Sequence, residues 1–189
     1  IRNECPDDRW KEDKIGVVYD AAPSPQAQAE PGNYEGAKAK IKTYAASMEN
    51  WDSFGWMLRV EAERRSYSKA KVKLFLADGA LHIRELKNLQ FPDAVFILDW
   101  AHAAQHLAHC AKALFGDGSL KAQDWYQAKR TMLWEGKGNE IIEELKKHSQ
   151  SLGLPEKGET DSSPRKVIHQ NAYSYFPNNH SFNRELQFF

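Results

Sequence analysis

Two short apolar runs, each ending in an acidic residue, flank one helical stretch and constrain this chain more than anything else in it. Lys71 to Leu107 reads KVKLFLADGALHIRELKNLQFPDAVFILDWAHAAQHL. Val72, Leu74 and Leu76 alternate with Lys71, Lys73 and Phe75 ahead of Ala77, Asp78 and Gly79, and Ala94 to Leu98 are all apolar ahead of Asp99. Both have the composition and length of strands. Between them Leu81, Ile83, Leu86 and Leu89 supply an apolar helix face, and Phe91-Pro92 closes it because proline disfavours helical backbone in the residue before it.

A strand, a helical crossover and a second strand form a βαβ unit, whose strands lie parallel. Asp78 and Asp99 are therefore expected at the same edge of the sheet. The carboxyl ends of strands line the crevice where open α/β sheets bind ligands, and two carboxylates there can hold a divalent cation. Each acid also has a plainer reading, with Asp78-Gly79 as a turn and Asp99 as the cap of the next helix.

Composition limits what surrounds this unit. The 189 residues suffice for one domain, or one domain with an inserted module. Six tryptophans and an aromatic content of 12% argue for a packed core. Lys plus Arg and Asp plus Glu number 26 each, so no overall basic field draws the chain to nucleic acid, and any DNA contact must be local. Cys5 and Cys110 are far apart and make neither a disulfide framework nor a zinc ribbon, which points to a reducing, cytoplasmic setting. No apolar run approaches the length of a membrane span, so no membrane partner is expected. The sequence begins without methionine and starts and stops in mid-pattern, as expected of a piece of a longer protein.

Upstream of the central unit, IGVVYD at 15 to 20 has strand character, and residues 21 to 36 form a loop rich in Ala, Pro, Gln and Gly. Lysines 38, 40 and 42 alternate with Ala39, Ile41 and Thr43, the pattern of a half-exposed strand over Ala37 to Ser47. Asn50 or Ser47 can cap a helix with Trp51, Phe54, Leu58 and Ala62 on one face, and Arg64 and Arg65 at its end complement the helix dipole. Downstream, a helix runs from His102 to Phe115 with His102, His106 and His109 on one face. Leu120 to Trp134 and IIEELKKH are further helices, the second with a favourable Glu143 to Lys147 spacing. Pro164 opens a third, which Pro177 is expected to stop.

In their order, LADGALHI, FPDAVFILDWAHAAQHL and KALFG resemble the catalytic core of bacterial insertion-sequence transposases with a ribonuclease-H-like, DDE-type domain, most closely the ISKra group. WKEDKIGVVYD is similar to that family's second strand, and YSYFPNN to its Tyr-Phe-x-Asn-Asn region, with departures at Leu81-His82 and after Asn179. The resemblance implies an α/β fold, a ribonuclease-H-like mixed sheet flanked by helices, with a partial core over 1–116, an all-α insertion over 117–176 and the start of the core's C-terminal part over 177–189. It makes Asp78 the second catalytic carboxylate and a metal ligand, with Asp99 and His102 as the family's accessory pair. The first strand, with its acid, and the third acid have no matching motif. Asp7 and Asp8 follow a proline with no apolar run before them, and Glu185 lacks the expected Ser-Gly-x-x-Glu turn.

The expected function is thus that of a segment of a DNA transposase, inert alone, that in the complete protein performs Mg²⁺-dependent phosphoryl transfer, with Mn²⁺ as a substitute, on transposon-end DNA as a homo-oligomer. Two alternatives remain open: a decayed or domesticated module that binds without cutting, and a zinc-dependent hydrolase built on Asp99, His102 and His106.

Overall fold

A computed structural model describes residues 12–22 and 38–179, a mixed α/β arrangement. Strands β1 (Lys14–Ala22) and β2 (Lys38–Ser47) form an antiparallel pair with an irregularity between Tyr19 and Asp20. Helix α1 (Trp51–Arg64) follows, then a 3₁₀ turn (Tyr67–Lys69), β3 (Leu74–Ala77), α2 (Leu81–Gln90) and β4 (Val95–Leu98). The remaining helices are α3 (Trp100–Phe115), α4 (Leu120–Trp134), α5 (Gly138–Leu152) and α6 (Pro164–Gln170), with a π turn (Asn171–Tyr175) leading into α7 (Phe176–Asn179). Among these helices none is long and apolar enough to cross a membrane. Asp7, Asp8 and Glu185 lie outside the described residues.

The expected crossover is present. β3 and β4 pair in parallel, Leu74 with Val95 through Ala77 with Leu98, and α2 is the connection. The described strands make two separate two-stranded sheets, β1-β2 and β3-β4, rather than one.

Helix α1 serves both sheets. Asn50 caps it by accepting the Ser53 N–H at 2.8 Å. Its buried face, Phe54, Leu58 and Ala62, joins Ala45 of β2 with Leu86, Phe91 and Ala94 in one cluster, bordered by Val18 of β1 and Phe75 of β3. Gly55 lets α2 approach, since a Cβ there would lie 3.2 Å from Gln90 Cγ and 3.3 Å from Leu86 Cγ. At its end Arg65 reaches Asp20 at 2.6 Å, so this guanidinium has a protein partner beyond the helix dipole.

The second core starts at Phe96 and Leu98 of β4 and continues through Leu107 and Cys110 to Leu133, Ile141, Leu145, Ile168, Ala172 and Phe176. The helices after Phe115 thus share one core with the sheet and α3. Phe75 borders both cores, its ring 6.2 Å from Phe96 and 5.5 Å from Phe91.

Four expectations need correction. On β3 the core-facing residues are Phe75 and Ala77, while Val72, Leu74 and Leu76 are exposed, because the aromatic contacts of Phe75 set the strand's rotation. On α2, Leu86 and Gln90 are buried against Gly55, leaving Leu81 and Leu89 in solvent. Pro177 does not stop the last helix: the π turn lets Phe176 N–H bond to Asn171 O, and Pro177 falls in the first turn of α7, where an N–H is not needed. Glu143 pairs with Lys146, one residue short of Lys147, at 2.8 Å.

Candidate functional site

The parallel register carries Asp78 and Asp99 off adjacent strand ends at one edge. Asp99 N–H still donates to Ala77 O at 2.7 Å, continuing the ladder past Leu98. Each carboxylate also performs its plainer task. Asp78 Oδ1 accepts the Ala80 N–H at 2.9 Å and turns the chain from β3 into α2, and Asp99 Oδ1 accepts the His102 N–H at 3.0 Å and caps α3. No hydrogen bond among the described residues takes up the second oxygen of either. Turn chemistry and edge placement are therefore compatible, because a cap occupies one oxygen and leaves the other.

His102 meets Asp99 through its backbone N–H rather than its imidazole. Its ring lies against His106 and Tyr175, at 4.9 and 5.8 Å. His106 stacks on Tyr175 with centroids 3.5 Å apart and planes 6° from parallel. The Nδ1 of His106 lies 2.7 Å from Asn171 Oδ1, and Asn171 Nδ2 donates to Val167 O at 2.8 Å. That second bond fixes the amide so that its oxygen faces the ring, and the imidazole proton sits on Nδ1. Burial lowers the pKa of His106 below its ordinary value, with the neighbouring histidines adding to the effect against the Asn171 bond and Asp78. The imidazole is thereby held neutral, with Nε2 as its acceptor.

Sequence reasoning missed the third wall of this site. Asn171, Tyr175 and Asn179 follow one another at intervals of four along the C-terminal helical segment, among the buried apolar residues Ile168, Ala172 and Phe176. Polar residues at that spacing inside an apolar face were the available signal. Asn179 is 2% exposed; its Nδ2 donates to Tyr175 O at 2.8 Å, and its Oδ1 is buried without a partner among the described residues. This amide packs on the Asp78 turn: a Cβ on Gly79, whose φ is +86°, would lie 2.5 Å from Oδ1. Tyr175 Oη is likewise buried and has no partner among the described residues, and burial, reinforced by the negative charges of Asp78 and Asp99, raises its pKa and keeps the phenol protonated.

Asp78, Asp99 and Asn179 bring oxygen donors to this edge of the fold, the donor type that a hard cation such as Mg²⁺ takes. Among the described residues no three His, Cys, Asp or Glu side chains are grouped to hold a metal, and of the residues of the zinc alternative, Asp99, His102 and His106, the last has its Nδ1 engaged with Asn171. Comparisons of the chain with protein-family models, curated proteins and solved structures return no match.

Proposed function

We propose that this chain is a segment of a DNA transposase catalytic domain of the ribonuclease-H-like class, and that Asp78 is one of the carboxylates that bind Mg²⁺ for phosphoryl transfer. The observation that carries the reading is the emergence of Asp78 and Asp99 from adjacent parallel strands at one sheet edge, each with an oxygen left over from its turn. Bound there, Mg²⁺ would activate the attacking hydroxyl or stabilise the departing oxygen. Asp78 holds the cation and Asp99 fixes the start of α3. His102 and the neutral His106 form the wall beside them, with Nε2 of His106 available as an acceptor for contacts to DNA.

The separation of the sheets supports the same reading. β1 and β3 each have one edge without a strand partner among the described residues, and Val18 and Phe75 pack on one apolar cluster with α1. A ribonuclease-H-like domain places its first strand, with the first acid, between these two. The activity accordingly belongs to the complete protein, and this segment alone is inert.

The test is strand nicking of a transposon-end duplex by the protein encoded with its flanking sequence. Mg²⁺-dependent nicking that falls at least about a hundredfold in Asp78→Asn supports the proposal, since loss of a metal ligand removes several kcal/mol of transition-state stabilisation. Equal nicking by the variant sinks it. Salt-dependent DNA binding without nicking would instead favour a module that binds and does not cut.

A further inference from the structure

The Oδ1 of Asn179 belongs to a side chain only 2% exposed and has nothing to accept from among the described residues. Leaving such an atom unpaired is costly, and evolution or packing ordinarily supplies a donor or a cation. A simple amide flip does not relieve it, because Nδ2 is held by Tyr175 O at 2.8 Å and an oxygen placed there would face a carbonyl. It packs on Gly79, the residue after Asp78, and the segment that carries it also places Tyr175 in the field of both Asp78 and Asp99. Acceptors gathered in this way are best reconciled by a positive ion.

We propose that Asn179 supplies a neutral oxygen ligand to a divalent cation held by Asp78 and Asp99, so that the last described helix completes the site from the side opposite the sheet. This rests on the reading of Asp78 as a cation-binding carboxylate and adds two ligands that reading did not include, Asn179 and the free oxygen of Asp99. Hard divalent ions accept amide oxygens alongside carboxylates, and a neutral third ligand leaves the site less negative than a third acid would. Gly79 is then required twice over, for its left-handed backbone and because any side chain there would push Asn179 away.

Mn²⁺ titration of the 189-residue chain by electron paramagnetic resonance, with Mg²⁺ as competitor, tests this without DNA. The wild type should bind one Mn²⁺ that Mg²⁺ displaces. Asp78→Asn and Asn179→Leu should each weaken binding by about tenfold or more, and Asn179→Asp, which adds a charged oxygen, should tighten it. Thermal melts in chelator report whether each variant folds; if Asn179→Leu does not, the Asn179→Asp comparison decides, and unchanged affinity there overturns the proposal. A folded Asn179→Leu that binds like the wild type, beside an Asp78→Asn that does not bind, overturns the role of Asn179 alone. No Mn²⁺ binding by the wild type overturns the proposal that Asp78, Asp99 and Asn179 hold a cation, while the role of Asp78 in the complete protein is decided by the nicking assay.

Discussion

At Gly79 one hydrogen atom decides how the C-terminal helix meets the Asp78 turn. Gly79 and Gly116 share a φ of +86°, but only at Gly79 does a neighbour, Asn179, lie within reach of an added Cβ. Gly116→Ala should therefore cost about 1–2 kcal/mol for the left-handed backbone, and Gly79→Ala at least about 1 kcal/mol more for displacing a buried amide. Thermal melts of the two variants check this, and equal losses would show that Asn179 yields freely. A second residue-scale effect concerns acid. Lys73 and Tyr67 donate to Asp93 at 2.5 Å each and pull its carboxyl down to about 2. A pKa depressed in the folded state contributes stability that is complete above the ordinary carboxylate value and fades as pH falls towards about 2. Denaturation midpoints of the wild type and Asp93→Asn should thus differ at neutral pH and converge between about pH 4 and 2. A gap that persists at pH 2 would assign the effect to packing instead.

Between elements, α4 and α5 are joined by one acid. Glu144 accepts from Trp125 Nε1 at 2.7 Å and pairs with Lys129, which is 8% exposed. Removing that acid strands a buried ammonium and an indole N–H, whereas Glu143, which pairs with Lys146 in solvent, has little to lose. Glu144→Ala should cost about 1–3 kcal/mol after allowance for the partial exposure of the carboxylate, and Glu143→Ala less than about 0.5. Urea unfolding of the two variants makes the comparison, and similar losses would reduce the buried pair to an ordinary surface contact. The element-scale reading of the sequence succeeded where local chemistry is decisive: Asn50 caps α1, Asp99 caps α3, and the Ala-Asp-Gly and Leu-Asp endings mark the ends of β3 and β4. It failed where a distant partner chose the face. Nothing local in KVKLFLA says that Phe75, rather than Leu74 and Leu76, turns inward, because that choice depends on Phe91 and Phe96.

Over the whole molecule, two helix-supported strand pairs leave apolar side chains in solvent: Ile15 at 69% and Val17 at 42% on β1, and Leu76 at 53% on β3. Two-stranded sheets with apolar, unpaired edges are prone to self-association. Leu76→Lys should lower light scattering at high concentration while leaving the melting temperature nearly unchanged, and a large drop in melting temperature would mean that Leu76 is a core residue after all. From sequence alone came the parallel β3-α2-β4 unit, the shared edge of Asp78 and Asp99 and the helices that follow, because periodicity, caps and the length of a chain crossover are set by neighbouring residues. Only tertiary structure brought Asn171, Tyr175 and Asn179 to that edge, turned His106 towards Asn171 and kept the strand pairs apart. These outcomes depend on contacts between segments up to a hundred residues apart, such as Gly79 with Asn179, and no local pattern encodes which of several apolar faces will find which partner.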